Sequence, residues 1–410
     1  MVTSNAAEDG VSKRRRKILD LVLSQVAPLA ASSVMTFATA AILGAAGRGQ
    51  LALILSGGAL LGSIAFLSLH VGIVSAHRDG DPTATRRGWV IAGAIALIVA
   101  GAGLSVSVAF PTLKAGLFTR STVLLIALGG AFVLFNLVVL RTRQGLGHSR
   151  IFRDSWFLQS ITFPVLGIPV ALLTDSPTLV AVCWYLALTL STLYAMTKKM
   201  HHERAVSQIS SRRIVATSLA AHAGSVGQQI LFRGDVVVLG FLVSASSVGI
   251  YSIAMPIAGL IWVFSEALSL LAFDTGTRRE SSLDRQRNRR NLVATNFKYG
   301  GLGAVLIAAG SWFLIPVFLP QYVDAIPLIL ILLPGVLIQG WARIGLSSIL
   351  TTGSVGAPIT IGALSALLST LYIPFVVLWG VIGAAAASTL IYVLQTLVVA
   401  AVTRYVSKHL

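Results

Sequence analysis

The chain is poor in charge: only 11% of its 410 residues are Asp, Glu, Lys or Arg, against roughly 25% in a soluble globular domain. That excludes a surface made to face water throughout. A single cysteine, Cys183, lies inside an apolar run. It excludes an intrachain disulfide and leaves the redox compartment unspecified. The sequence has no metal-ligand spacing, no Gly-rich phosphate loop and no paired catalytic motif, so no cofactor and no metal are expected, and an enzyme is not expected either. Acidic residues are scarcest, 14 against 31 Lys and Arg, for a net charge of +17. In a soluble chain that balance would suggest nucleic acid; the placement of the charges argues otherwise.

What is abundant is apolar sequence: 55% of the residues are hydrophobic and the mean hydropathy is +0.85. A helix needs about 20 apolar residues to cross roughly 30 Å of hydrocarbon. Candidate spans fall at 18–43, 51–76, 88–110, 119–140, 155–173, 178–197, 214–242, 248–272, 294–318, 325–350, 357–378 and 380–403. The expected fold class is therefore an all-α polytopic membrane protein of about twelve helices. Strands are not expected, because long unbroken apolar runs lack the alternation of a membrane barrel. The basic cluster 13–17 precedes an apolar run longer than a signal peptide's core, so the first helix is expected to stay uncleaved.

The loops alternate in charge. With the N-terminus inside, 26 of the 31 Lys and Arg fall in cytoplasmic segments. Outer loops hold only Arg48, Lys114 and Arg120, and Arg233 and Arg343 lie inside spans. This is the positive-inside pattern. It explains the basic character without nucleic acid, leaves both termini cytoplasmic and leaves the basic loops free to meet anionic lipid headgroups.

A faint internal repeat runs at an offset of 200: Gly49 aligns with Gly249 and Ala52 with Ser252. It divides the chain into a cytoplasmic N-terminus (1–17), a six-helix bundle (18–200), a linker (201–213), a second bundle (214–403) and a cytoplasmic C-terminus (404–410). An even six-plus-six repeat keeps both halves in one orientation, related by a pseudo-twofold along the membrane normal.

Four segments carry a resemblance. The stretch 43–52, Leu-Gly-Ala-Ala-Gly-Arg-Gly-Gln-Leu-Ala, resembles the outer turn between the first two helices of polysaccharide (Wzx-type) flippases. Arg233-Gly234-Asp235 followed by 248–254 is similar to that family's seventh-to-eighth helix junction. The run 319–325 resembles its outer turn before helix ten, and 380–388 its start of helix twelve. That family shares a superfamily with MATE multidrug exporters and lipid II flippases. The resemblance implies a MATE-like fold. It also implies translocation of an undecaprenyl-pyrophosphate-linked oligosaccharide across the bacterial cytoplasmic membrane for surface polysaccharide synthesis, alongside polysaccharide polymerase machinery. Lipid II flippases have fourteen helices, so the chain departs from them.

Charges inside the bilayer cost about 2.5–3.5 kcal/mol on insertion scales and usually face a water-filled cavity. Arg233 is the leading candidate. His222, Ser225, Gln229 and Arg233 recur at i, i+3, i+7 and i+11, one helical face, expected to line a cationic wall opposite a pyrophosphate; the alternative is an Arg paired with a neighbouring helix. Asp235, two residues on, points elsewhere and is expected either to find another partner or to sit near the outer surface, in a structural role or, with Glu266, in ion coupling. Arg343, with Gln339 one turn before it, is expected either to meet the headgroup or to snorkel inward. Arg48 is placed in an outer turn, as a gate or a solvated charge. Glu266 is expected to take up H+ or Na+, or to pair with an arginine, Arg343 included. His70 reads as a packing residue, and Pro28, Pro164, Pro256, Pro316 and Pro334 as kinks. The small-residue run 383–388 reads as a close-packing surface.

Two other functions compete with the flippase. A cation-coupled, MATE-like exporter of small amphipathic molecules needs acidic residues in the first bundle, where Asp20 and Asp154 sit only at helix ends. A glycosyltransferase or polymer ligase needs a sizeable outer loop, which the sequence lacks.

Overall fold

A computed structural model describes the backbone of residues 2–198, 208–276, 282–350 and 356–409, and side chains over 28–198 (Leu29 excepted), 208–273, 286–350 and 356–406. The helices are α1 (Val2–Ala65), α2 (Leu69–Arg78), α3 (Ala84–Ala109), α4 (Arg120–Gly145), α5 (Ser149–Thr174), α6 (Pro177–Thr197) and α7 (Ser211–Leu242). They continue as α8 (Ala245–Gly259), α9 (Ile261–Gly276), α10 (Ser282–Phe318), α11 (Ala325–Leu350), α12 (Gly356–Ser369) and α13 (Tyr372–His409). In lipid every backbone N–H and C=O must be bonded internally, which helices do within one segment. Against the expectation of no strands, two short ones, Lys114–Ala115 and Phe118–Thr119, pair antiparallel in the α3–α4 loop.

Eight helices among the described residues are long and apolar enough to cross a membrane, nine if the bent pair α8–α9 is one span. Two of the helices each contain a break, at Gly44 (φ 65°) in α1 and at Gly380 (φ 56°) in α13. Glycine adopts this left-handed backbone without a Cβ penalty. Divided there, with 45–65 running on into α2 and α12 into 372–379, the helices fall on the twelve expected spans. The expected eight-residue outer turn at 43–50 is corrected to a break at Gly44 alone; both sides hold helical geometry. The expected linker is also shorter at its far end, since α7 begins at Ser211; the part at 201–207 lies outside the described residues.

Local sequence explains the helix starts. Ser176, Ser210 and Ser244 accept hydrogen bonds from the backbone N–H groups of Leu179, Arg213 and Ser247, capping α6, α7 and α8, and Thr119 caps α4 through Thr122. Such side chains bond N–H groups that a first helical turn leaves unpaired. Pro177 occupies the first turn of α6, where its missing N–H costs nothing.

The first half gathers α1–α6, with α4 packed on α1, α3 and α6; the second gathers α7–α13 around α11 and α13. Helices α3, α5 and α10 are largely uncovered and apolar, with Leu97 76%, Leu173 83% and Phe318 71% exposed. They form the lipid-facing rim. Without a hydrophobic drive between helices in lipid, association rests on close backbone approach at small residues. A Cβ on Gly227 of α7 would stand 1.7 Å from the Gly362 oxygen of α12.

The halves meet along α1, α2, α7 and α8. At the end expected to face outward, a Cβ on Gly49 would stand 1.9 Å from the Ala245 oxygen, and one on Gly249 would stand 1.9 Å from the Ala45 oxygen. The contact is reciprocal at the same offset of 200 seen in the sequence. Gln321 and Tyr322, in a 3-10 turn at 320–322, both donate to the Ala40 oxygen and close the same end.

Candidate functional site

Helix α7 positions the site. Its 32 residues include His222, Gln228, Gln229, Arg233 and Asp235, and such polar side chains at membrane depth must face protein or a cavity. Toward its start, Gly72 packs on the Ile214 oxygen and Ser218 Oγ lies 3.4 Å from the Leu69 oxygen. His222 Nε2 bonds the Ile64 oxygen at 2.9 Å, and Ser68 Oγ lies 3.2 Å from His222 Nδ1 and 3.4 Å from Ser225 Oγ. Leu67 and Ser68 hold positive φ of 48° and 49°, a conformation costing a side-chain-bearing residue about 1–3 kcal/mol. The bonds to α7 hold that break between α1 and α2 in place. His222 was expected on a free cavity wall; it is instead buried between the halves.

Toward the other end of α7, Gly240 packs under Leu53 and Phe118. His222 and Gly240 lie about five turns apart on one face. Between these two contacts, on the same face, Gln229 is partly covered and Arg233 is exposed. The halves touch above and below Arg233 and leave it uncovered between them. Arg233 is thus exposed on the face of α7 that carries both contacts with the first half.

Asp235 faces the opposite way, into the second half, and is 1% exposed. Tyr251 Oη donates to its Oδ2 at 2.7 Å and the Val236 N–H to its Oδ1 at 2.8 Å. Ser388 Oγ lies 3.0 Å from Tyr251 Oη and 3.1 Å from Tyr372 Oη. A fully buried carboxylate of α7 thus sits within a cluster of hydroxyls from α8 and α13, with no arginine among the described residues bonded to it. A second polar chain crosses the same half: Gln228 and Gln395 both donate to Ser365 Oγ, and Gln339 donates to Gln395 Oε1 at 2.6 Å.

Arg343 of α11 pairs with Glu266 of α9, the pairing weighed from sequence. Its guanidinium lies 4.5 Å from the Trp262 ring centroid and 4.9 Å from that of Phe232. These rings pack with Tyr392. Arg48, expected in an outer turn as a gate or a solvated charge, is corrected in its placement: it sits within α1, 7% exposed, with Nη1 donating to Thr39 Oγ1 at 3.2 Å. A helical residue directed between packed helices cannot keep the water shell of a loop charge. His70 stacks on Phe66, a packing role.

The sequence reading missed Tyr251, Tyr372, Ser388, Ser365, Gln395, Trp262 and Phe232. Gln395, an amide inside an apolar run, and the three tyrosines at 251, 372 and 392 carried a signal: each brings a polar atom into lipid-depth sequence, where it must find a partner. Ser388 was hidden in the small-residue run read as packing.

The sequence matches no protein-family model and no curated protein. Solved structures do match over nearly the whole chain. An inward-facing conformation of a multidrug resistance MATE family transporter of the MOP superfamily superposes with a TM-score of 0.68 at 14% identity, covering 95% of this chain and 98% of that one. The outward-facing conformation of a multidrug resistance MATE family transporter of the same superfamily gives 0.58 at 14%, covering 96% and 95%. Lipid II flippase MurJ, in an inward closed conformation, gives 0.68 at 14%, covering 94% and 88%. With its helices, its lipid-facing rim and its paired halves, this chain is a multi-pass membrane protein with the fold found in MATE transporters and the MurJ flippase.

Proposed function

We propose that the protein is a flippase that moves an undecaprenyl-pyrophosphate-linked oligosaccharide across the bacterial cytoplasmic membrane by alternating access, with both termini cytoplasmic. The observation that carries this reading is Arg233, a permanent cation left uncovered between two halves that touch on either side of it. A pyrophosphate is the anionic part of such a cargo, and a guanidinium binds phosphate with paired donors. The MATE and MurJ fold supports a transporter whose halves rock about a central cavity. The better superposition on an inward-facing than on an outward-facing MATE structure supports an inward state with the Gly49–Gly249 end closed. Asp235, buried among hydroxyls, supports coupling to H+ or Na+.

Deleting the gene in a strain without a paralogue is expected to abolish one surface glycan and to raise its lipid-linked precursor inside the cell. Normal glycan export in that strain overturns the reading. A polysaccharide polymerase is the expected partner machinery, checked by co-purification. The MATE likeness also favours a second reading, export of small amphipathic molecules. Efflux of such compounds from vesicles, with glycan export intact in the deletion strain, selects it.

A further inference from the structure

The Arg343–Glu266 pair is held unequally. The Arg343 side chain is 18% exposed and is fixed over the faces of Trp262 and Phe232. Trp262 is itself anchored by its indole N–H on the Val336 oxygen at 3.2 Å. Glu266 is 52% exposed, and Ser269 Oγ lies 3.4 Å from its Oε2. The cation is therefore fixed, and the carboxylate is the partner that can leave. Arg343 bonds Glu266 through one terminal guanidinium nitrogen, Nη1, alone.

The physical need for such a pair is plain. A guanidinium stays charged at any working pH, and a cation at membrane depth requires an anion nearby. Half of the Glu266 side chain stays uncovered while it is paired, so a stronger anion can reach the pair and displace it. A pyrophosphate carries more charge and more acceptors than one carboxylate.

Resting on the reading of a phosphate-linked cargo, we propose that Glu266 is a resident stand-in for the cargo's phosphate. It neutralises Arg343 in the empty carrier and yields Arg343 to the arriving anionic group. Arg343 is then a second anion subsite beside Arg233, and Glu266 sets selectivity: a neutral amphiphile has nothing to exchange for the carboxylate and leaves the pair closed.

The test titrates undecaprenyl pyrophosphate into the full-length protein in phosphatidylcholine nanodiscs, with parallel discs containing phosphatidylglycerol and no pyrophosphate lipid. Glu266→Gln keeps the side chain's shape and removes its charge. It is expected to tighten pyrophosphate-lipid binding about threefold or more, and Glu266→Gln/Arg343→Ala is expected to lose that gain. Thermal unfolding of each variant confirms that it is folded, and Glu266→Ala, which also removes the charge, serves in place of a Glu266→Gln variant that is not. Equal or weaker binding by the charge-removed variant overturns the proposal, as does a gain that survives loss of Arg343. A gain seen with phosphatidylglycerol alone assigns Arg343 to bulk lipid and overturns it too. The parent reading is decided separately, by glycan export in the deletion strain, whatever these titrations give.

Discussion

Arg233 and Asp235 stand two residues apart on α7 and occupy opposite environments, one uncovered between the halves and the other sealed among tyrosines. Their opposed directions were legible, because i and i+2 never share a helical face. The partners of Asp235 were not, because Tyr251 and Ser388 come from helices that only the fold brings together. Under the proposed function, Arg233→Ala is expected to impair glycan export more than Arg233→Lys, which keeps the charge; equal and full export by both counts against a cationic wall. Asp235→Asn is expected to fold and to lose dependence of transport on the coupling gradient, read in vesicles with imposed H+ or Na+ gradients. Outside the spans, Asp81 offers a pH prediction. Its buried carboxylate accepts from Thr83 N–H at 3.0 Å, Thr83 Oγ1 at 2.6 Å and the Ile209 N–H at 2.8 Å, and pairs with Arg87. Arg87 Nη1 also donates to the Ile209 oxygen at 2.6 Å, tying the α2–α3 loop to the segment leading into α7. Burial pushes the carboxyl up, but these bonds and the Arg87 charge outweigh it and hold it below its ordinary 3.8. A depressed carboxylate stabilises the fold above its unfolded pKa and loses that contribution as pH falls through the folded one. Asp81→Asn is therefore expected to cost about 1–2 kcal/mol near neutral pH. In thermal melts the gap to the natural protein closes as pH drops below 3.8.

At the scale of elements, span positions followed from apolar length and the breaks did not. Gly44 and Gly380 fall at span boundaries, so their sequence position hinted at a turn. The break at 66–68 and the 43° bend between α8 and α9 fall inside apolar runs that read as continuous. Hydropathy sees only the solvent; it cannot see a backbone strain repaid by a bond to another helix, as Ser68 is by His222. The same limit hid Arg48, which the sequence placed in a turn. The glycines at crossings give the sharper element-level prediction. Gly227 lies against the Gly362 backbone at the α7–α12 crossing, where no flexible side chain can yield. Gly227→Val is expected to pry the two helices apart, at a cost of about 1–3 kcal/mol, the range of overpacked sites. The check is the yield of folded, monodisperse protein in detergent; a natural yield and melting temperature would show that the crossing is loose.

For the whole molecule, the repeat that was faint in sequence becomes a mechanical statement. Gly49 and Gly249 each rest on the carbonyl of the other half, at equivalent places in the two bundles. Under the proposed alternating access, a contact this close is expected only when the expected outer end is shut, and every larger side chain there opposes closure. Gly49→Val places its Cβ where the Ala245 oxygen stands, so the variant pays for closure in a clash and not for opening. Its population is then expected to shift toward the outward-open state, as any energy difference between two states must shift it. Ala40 reports that shift: it is 0% exposed, and its carbonyl oxygen accepts bonds from Tyr322 and Gln321 across the closed end. In a Cys183→Ala background, Ala40→Cys is expected to label weakly from outside intact cells with a membrane-impermeant maleimide. Adding Gly49→Val is expected to raise that labelling severalfold, and adding Gly249→Val to do the same, because the contact is reciprocal. Unchanged labelling in both would place the moving contact elsewhere. A rise with only one of them would mean that the two halves, alike in sequence offset, do not share the gate equally.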